Sequence, residues 1–155
     1  MDIPCIKKED WDRKQFEWKN KPFYRVRYGS FFGLPLTLDI QRKKALEKLK
    51  NRKLLPGKPV ILTKNNIITS QLYIEMTHAD ENTEHETFSG NYFTMSFEGS
   101  TNNFSLWKKI LKQVCETNSL HVKEILPYFA KHEDESKKEL TVLLARVTPA
   151  SSQNI

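Results

Sequence analysis

The sequence predicts an α+β fold: duplicated β-α-β-β units forming one antiparallel sheet, with two helices on one face and a concave ligand-binding face. Three observations predict it. Segments of period-two alternation flank two segments of helical periodicity. The order strand, helix, strand, strand occurs twice in the 155 residues. A constant offset of 70 lays Gly29-Ser30 on Gly99-Ser100, Phe23 on Phe93, Trp18 on Phe88, Leu34 on Phe104 and Ile40 on Ile110, and it lays 70–77 over 140–147. Because sheets twist, the face without helices is expected to be concave.

The first unit opens with residues 14–28. Phe16 and Trp18 alternate with polar neighbours, Asn20-Lys21-Pro22 reads as a turn, and Tyr24, Val26 and Tyr28 alternate with Arg25 and Arg27. Gly29-Ser30 ends that strand. From Pro35 to Lys53 the pattern is helical, with Leu38, Ala45, Leu46 and Leu49 inward and Pro35 suited to a first helical turn. Pro56-Gly57 stops the helix. Residues 59–64 and 67–77 form a hairpin about Asn65-Asn66, since Asn tolerates positive φ. Residues 78–87, polar and acidic, link the halves. The second unit has a strand over 91–98, a helix over 104–116 with Phe104, Trp107, Ile110, Leu111 and Val114 on one stripe, and strands over 122–129 and 140–147. Cys115 is expected half-buried beside Val114. The domain reading is therefore an N-terminal extension, 1–13, a domain over 14–148 with pseudo-repeats at about 14–78 and 86–148, and a flexible tail, 149–155. Nothing in the pattern accounts for 1–13 or for Trp11.

Charge is the feature that asks for a partner, and its distribution answers. The formal net charge is +6. Between Gln41 and Lys58 stand Arg42, Lys43, Lys44, Lys48, Lys50, Arg52, Lys53 and Lys58 against Glu47 alone, so the remainder is close to neutral. No aromatic or glycine is interleaved within that helix, as a nucleic-acid footprint would need, so the run reads as its solvated face. Glu75, Asp80, Glu81, Glu84 and Glu86 compensate it. No apolar run approaches the roughly 20 residues that cross a bilayer, and Cys5 and Cys115 form no disulfide framework. These features predict a cytoplasmic protein with no membrane partner. No P-loop, Gly-x-Ser-x-Gly elbow or His-Glu-x-x-His helix is present, and the four histidines have no metal-ligand spacing, so neither a metal nor another cofactor is expected.

Strand phase nominates the pocket residues. In 71–77, Leu72, Ile74 and Met76 take one side and Tyr73 and Glu75 the other. In 91–98, Phe93, Met95 and Phe97 take one side, leaving Tyr92, Thr94, Ser96 and Glu98 opposite. With the apolar sides under the helices, Tyr73, Glu75 and Tyr92 face the concavity.

The run 88–100 (Phe-Ser-Gly-Asn-Tyr-Phe-Thr-Met-Ser-Phe-Glu-Gly-Ser), with Leu106-Trp107-Lys108-Lys109-Ile110-Leu111, then 124–129 (Glu-Ile-Leu-Pro-Tyr-Phe) and 139–144 (Glu-Leu-Thr-Val-Leu-Leu), resembles the GyrI-like small-molecule-binding family. That family includes effector-binding domains of AraC- and MerR-type transcription regulators and is related in fold to SOUL haem-binding proteins. The resemblance covers about 14–147. It implies a groove for a small hydrophobic, often cationic or aromatic compound, faced by a strand carboxylate at the position of Glu124. The Tyr usual two residues later is Leu126 here, and Tyr128 follows. Trp107 matches the Trp packed under the sheet.

The resulting expectation is a stand-alone effector-binding-like domain, without a DNA-binding domain of its own. Its partner is a small amphipathic or aromatic ligand, bound by Glu124, Glu75, Tyr73, Tyr92 and Tyr128, in a transcription-related or sequestering role. Two alternatives stay open. One is a module that docks on a larger enzyme; the other is a small hydrolase using a pocket Glu and Tyr, as some relatives do.

Overall fold

A computed structural model describes residues 4–31, 34–35, 38–65, 69–99, 101–133 and 138–150. Its elements are β1 (Cys5–Ile6), α1 (Lys8–Trp11), β2 (Lys14–Phe31), β3 (Leu34–Pro35), α2 (Leu38–Asn51), β4 (Ile61–Asn65), β5 (Thr69–Glu75), β6 (His85–Glu98), α3 (Phe104–Thr117), β7 (Leu120–His132) and β8 (Glu139–Pro149). The fold is α+β. Seven strands follow the hydrogen-bonding order β1-β7-β8-β6-β2-β5-β4, and β3 pairs with β2.

Several elements depart from the sequence expectation. The sheet is mixed rather than antiparallel, because Cys5 and Ile6 run parallel to Lys131 and His132 on the edge of β7. A short third helix, α1, joins the two expected. The turn expected at Asn20-Lys21-Pro22 is absent: β2 runs unbroken through it, and Asn20 absorbs the local irregularity with φ 50. Strand pairing on both flanks outweighs the local turn preference of Asn and Pro. Pro35 belongs to β3, not to a first helical turn. Asn65 ends β4, while 66–68 lie outside the described residues, as do 151–155 of the expected tail. Ahead of that tail, β8 runs on to Pro149.

The chain divides into two compact units, one built on Asn20–Phe88 and one on Cys5–Lys19 with the chain from Ser89 onward. In the first unit, β5 pairs antiparallel with both β2 and β4. Ala45 and Leu49 on α2 are buried, and Lys48 lies 5.1 Å from the Tyr24 ring centroid. That contact puts α2 over the face bearing Tyr24, Val26, Leu72 and Ile74. The basic residues Lys43, Lys44 and Lys50 stay exposed, whereas Arg42 is turned inward in step with Ala45 and Leu49.

The second unit has β6 and β7 flanking β8, all antiparallel. Trp107, Leu111 and Cys115 of α3 recur at helical spacing and bury against Phe93, Met95, Leu143, Ala145 and Val147. The Trp107 ring stacks on Phe97 at 5.3 Å. Two expectations about α3 change here. Ile110 is exposed, standing off the stripe defined by Trp107, Leu111 and Cys115, and Cys115 is fully buried rather than half-buried.

Candidate functional site

The site is built on the face of the second unit opposite α3. Strand alternation sends Phe93 and Met95 to the helix, so Tyr92, Thr94 and Ser96 point the other way. On β8 the same logic sends Leu143, Ala145 and Val147 to α3 and Val142, Leu144 and Arg146 to the opposite face.

β7 reaches the same result only through an irregularity. Val122 pairs with Val147, yet Glu124 pairs with Arg146, so the register shifts between them. Val147 and Arg146 lie on opposite faces of β8, and their partners must do likewise. Unbroken alternation would instead have put Glu124 on the same side as Val122, which packs with α3's cluster. The extra residue, Lys123, makes a β-bulge that turns Glu124 away from that core.

A cross-strand row results: Tyr92 on β6, Arg146 on β8, Glu124 on β7. Arg146 Nε lies 3.9 Å from Glu124 Oε2, with the two side chains 43% and 30% exposed. Tyr92 is buried, and burial pushes its phenol above the ordinary range. Arg146's charge opposes that shift and Glu124's adds to it. Beside the row, the stem of Arg146 passes close to position 90: a Cβ there would stand in ordinary contact with Arg146 Cδ at 3.4 Å, and Gly90 has φ 134. Gly90→Ala is therefore expected to cost about 1–3 kcal/mol from the strained backbone, read as a lowered urea midpoint.

Aromatic rings surround the row. Phe16 stacks on Tyr92 at 5.7 Å, Trp18 lies 4.7 Å from Tyr92, and Trp11 meets Tyr128 edge-on at 5.5 Å. A cleft of about 390 Å³ opens at the Tyr92 end of the row, lined by Gln15, Phe16, Glu17, Asn91, Tyr92 and Leu120, together with 147–149; Tyr92 is the member of the row that lines it, and Val147 and Leu120 reach it from the α3 side. That volume suits a small organic molecule.

Residues 5–13, which carry no sequence pattern, cover the remainder of this face. The Thr94 hydroxyl donates to the Trp11 carbonyl, and the Ser96 N–H donates to Asp12 Oδ1 at 2.9 Å. At the far end His132 Nε2 lies 2.9 Å from Glu98 Oε1, and Lys8 lies 3.8 Å from the same oxygen. The hydrogen bond to His132 holds the Glu98 carboxyl below its ordinary value.

The five nominated residues thus divide. Glu124 and Tyr92 share a row with Arg146, and Tyr128 lies further along β7, buried against Trp11. Glu75 and Tyr73 belong to the first unit. There Glu75, its side chain 15% exposed, pairs with Lys21 at 2.6 Å and accepts the Val60 N–H at 3.0 Å. Its carboxylate is engaged in holding the entry to β4. Tyr73 is buried edge-on against Phe88, and its hydroxyl donates to Gln71. Trp11 and Arg146 escaped the sequence reading. Trp11 lay in a stretch without a pattern, and Arg146 looked like any polar residue in an alternating strand. Among the described residues no three His, Cys, Asp or Glu side chains converge to hold a metal, and no helix is long and apolar enough to cross a membrane.

The architecture is that of a small α+β domain with an aromatic cleft. Comparison with solved structures finds the same fold in the C-terminal domain of EcmrR (11% identity, TM-score 0.62, 90% of this chain and 98% of that one). It recurs in a hydrolase from Listeria innocua (13%, 0.65, 93% and 94%) and in an uncharacterized conserved protein from Listeria innocua (10%, 0.62, 92% and 93%). A family model described as bacterial hydrolase matches residues 3–141, and the chain belongs to that family. No curated protein matches it.

Proposed function

We propose that the protein is a small-molecule-binding domain of the GyrI-like kind, holding a hydrophobic aromatic compound at the cleft beside Tyr92, with Glu124 as its polar anchor. The observation carrying this reading is the cleft itself: about 390 Å³, walled by Phe16 and Tyr92, beside a row that holds a carboxylate and a guanidinium. The fold shared with the C-terminal domain of EcmrR supports it. So does the order β2, β3, α2, β4, β5 followed by β6, α3, β7, β8, which is compatible with a duplicated β-α-β-β unit into whose first copy the two-residue β3 is inserted. In this reading the bound compound is sensed or sequestered.

A second reading is favoured by the family's description as hydrolases. In it, the Glu124 carboxylate takes a proton from water as the water oxygen adds to a bound carbonyl carbon. The leaving group departs with that proton. Arg146, beside Glu124, would face the developing oxyanion.

One experiment addresses both. A panel of aromatic esters and their non-hydrolysable ethers is screened by thermal unfolding and for product release. A ligand at a hundred times its Kd adds about 2.7 kcal/mol, a rise of roughly 5–10 °C for a chain of this size. Phe16→Ala is expected to reduce that rise. Product release that Glu124→Gln abolishes while binding persists establishes the hydrolase. Absence of any stabilisation across the panel would overturn the binding reading.

A further inference from the structure

We propose that Arg146 sets the charge preference of this site, turning away organic cations and admitting neutral or anionic aromatic compounds whose acceptor group meets its guanidinium. This rests on the reading that the cleft beside Tyr92 binds a small molecule. Considered without Arg146, the aromatic walls and Glu124 describe a trap for cations, since ring faces and a carboxylate both attract positive charge. The observed row has a different character because it already contains its own cation.

Three observations locate that cation. Arg146 stands between Tyr92 and Glu124 in register, so all three side chains leave the sheet on one face. Its Nε is 3.9 Å from Glu124 Oε2, so the carboxylate already faces a cation. Its stem passes within van der Waals contact of position 90, immediately before the cleft residues Asn91 and Tyr92. The Tyr92 phenol reports the same field: the lowering by Arg146 exceeds the raising by Glu124.

The charge that lines the cleft itself does not reverse this. Glu17 lines it, and Lys19 lies 3.6 Å from Glu17, so that pair is close to balanced. A cationic ligand therefore has to separate Arg146 from Glu124 or accept like-charge repulsion. A carboxylate or carbonyl gains planar N–H donors in a fork suited to it. The guanidinium side chain remains 43% exposed, which leaves donors for a ligand and makes the preference sensitive to salt.

Three probes of one shape test the proposal by calorimetric titration at pH 7: 2-naphthoate, 2-naphthol and 2-naphthylmethylammonium. The native protein is expected to bind the first two at least about tenfold more tightly than the ammonium, a margin typical of a single charge contact. Arg146→Lys keeps that order. Arg146→Gln, checked for native circular dichroism, reverses it by removing the cation beside Glu124, and Glu124→Gln tightens naphthoate binding. Equal binding of all three probes, or tightest binding of the ammonium by native protein, overturns the charge preference while leaving the cleft as a binding site. The preference is likewise overturned if Arg146→Gln leaves the order unchanged. Failure of every probe to bind overturns the cleft reading and this proposal together.

Discussion

Replacing Trp107 by alanine is expected to destabilise the protein by about 3–5 kcal/mol, the range for deleting a large aromatic from a packed core. The indole is buried and stacks on Phe97, and it shares its cluster with Met95, Leu111, Cys115 and Leu143. Neighbours fixed on a sheet and a helix relax only partly into the vacated volume, so a cavity term adds to the lost transfer energy. Urea unfolding followed by circular dichroism measures the loss. Trp107→Phe keeps most of the stacking and should cost much less. A loss below about 1 kcal/mol for the alanine variant, within the range of ordinary surface substitutions, would mean that α3 does not anchor this core.

The second large effect concerns Cys115. The thiol is fully buried in the same cluster, and burial pushes it up to about 11, with the charge of Glu116 adding to the shift. Below pH 9, the ordinary value for a thiol here, both folded and unfolded chains keep the proton and stability is unaffected. Between about 9 and 11 the unfolded chain gives up a proton that the folded chain retains, so stability falls as pH rises. The loss attributable to this group approaches about 2–3 kcal/mol at the top of that window. Cys115→Ala removes that slope from a plot of unfolding free energy against pH. Native-state alkylation gives an independent check. At pH 8 the thiolate fraction is lowered about 100-fold by the shift alone, before any protection from burial. Mass spectrometry should therefore find Cys5 modified and Cys115 protected until denaturant is added. Equal labelling of the two would contradict the packing of α3.

Much of the second unit was legible in the sequence. Alternation at Phe93, Met95 and Phe97 and the stripe holding Trp107 and Leu111 specified which faces meet, because burial of apolar surface enforces both periods. Less was legible where pairing competes with local preference. Asn20 and Pro22 have turn chemistry, yet β2 passes through them, since β5 supplies partners from Phe23 through Gly29. Residues 5–13 carried no periodicity to detect. Their place depends on backbone and side-chain bonds to β6 and to the end of β7, including the Glu133 N–H donating to the Ile6 carbonyl at 2.8 Å.

The candidate site shows the same division at closer range. Tyr92 was singled out from strand alternation and Glu124 from the resemblance to the GyrI-like family, but the sequence alone could not bring them to one face. Strict alternation from Val122 would have turned Glu124 toward α3. Only the pairing of β7 with β8, with its register shift at Lys123, delivers the carboxylate beside Arg146. The sequence by itself determined the α+β class, the apolar faces and the residue types available for binding. Tertiary structure decided which of them meet, because a bulge is a compromise between two strands and leaves no mark in the periodicity of either. It also decided the charge of the site, since an arginine in an alternating strand becomes a counter-ion only when a neighbouring strand presents the carboxylate.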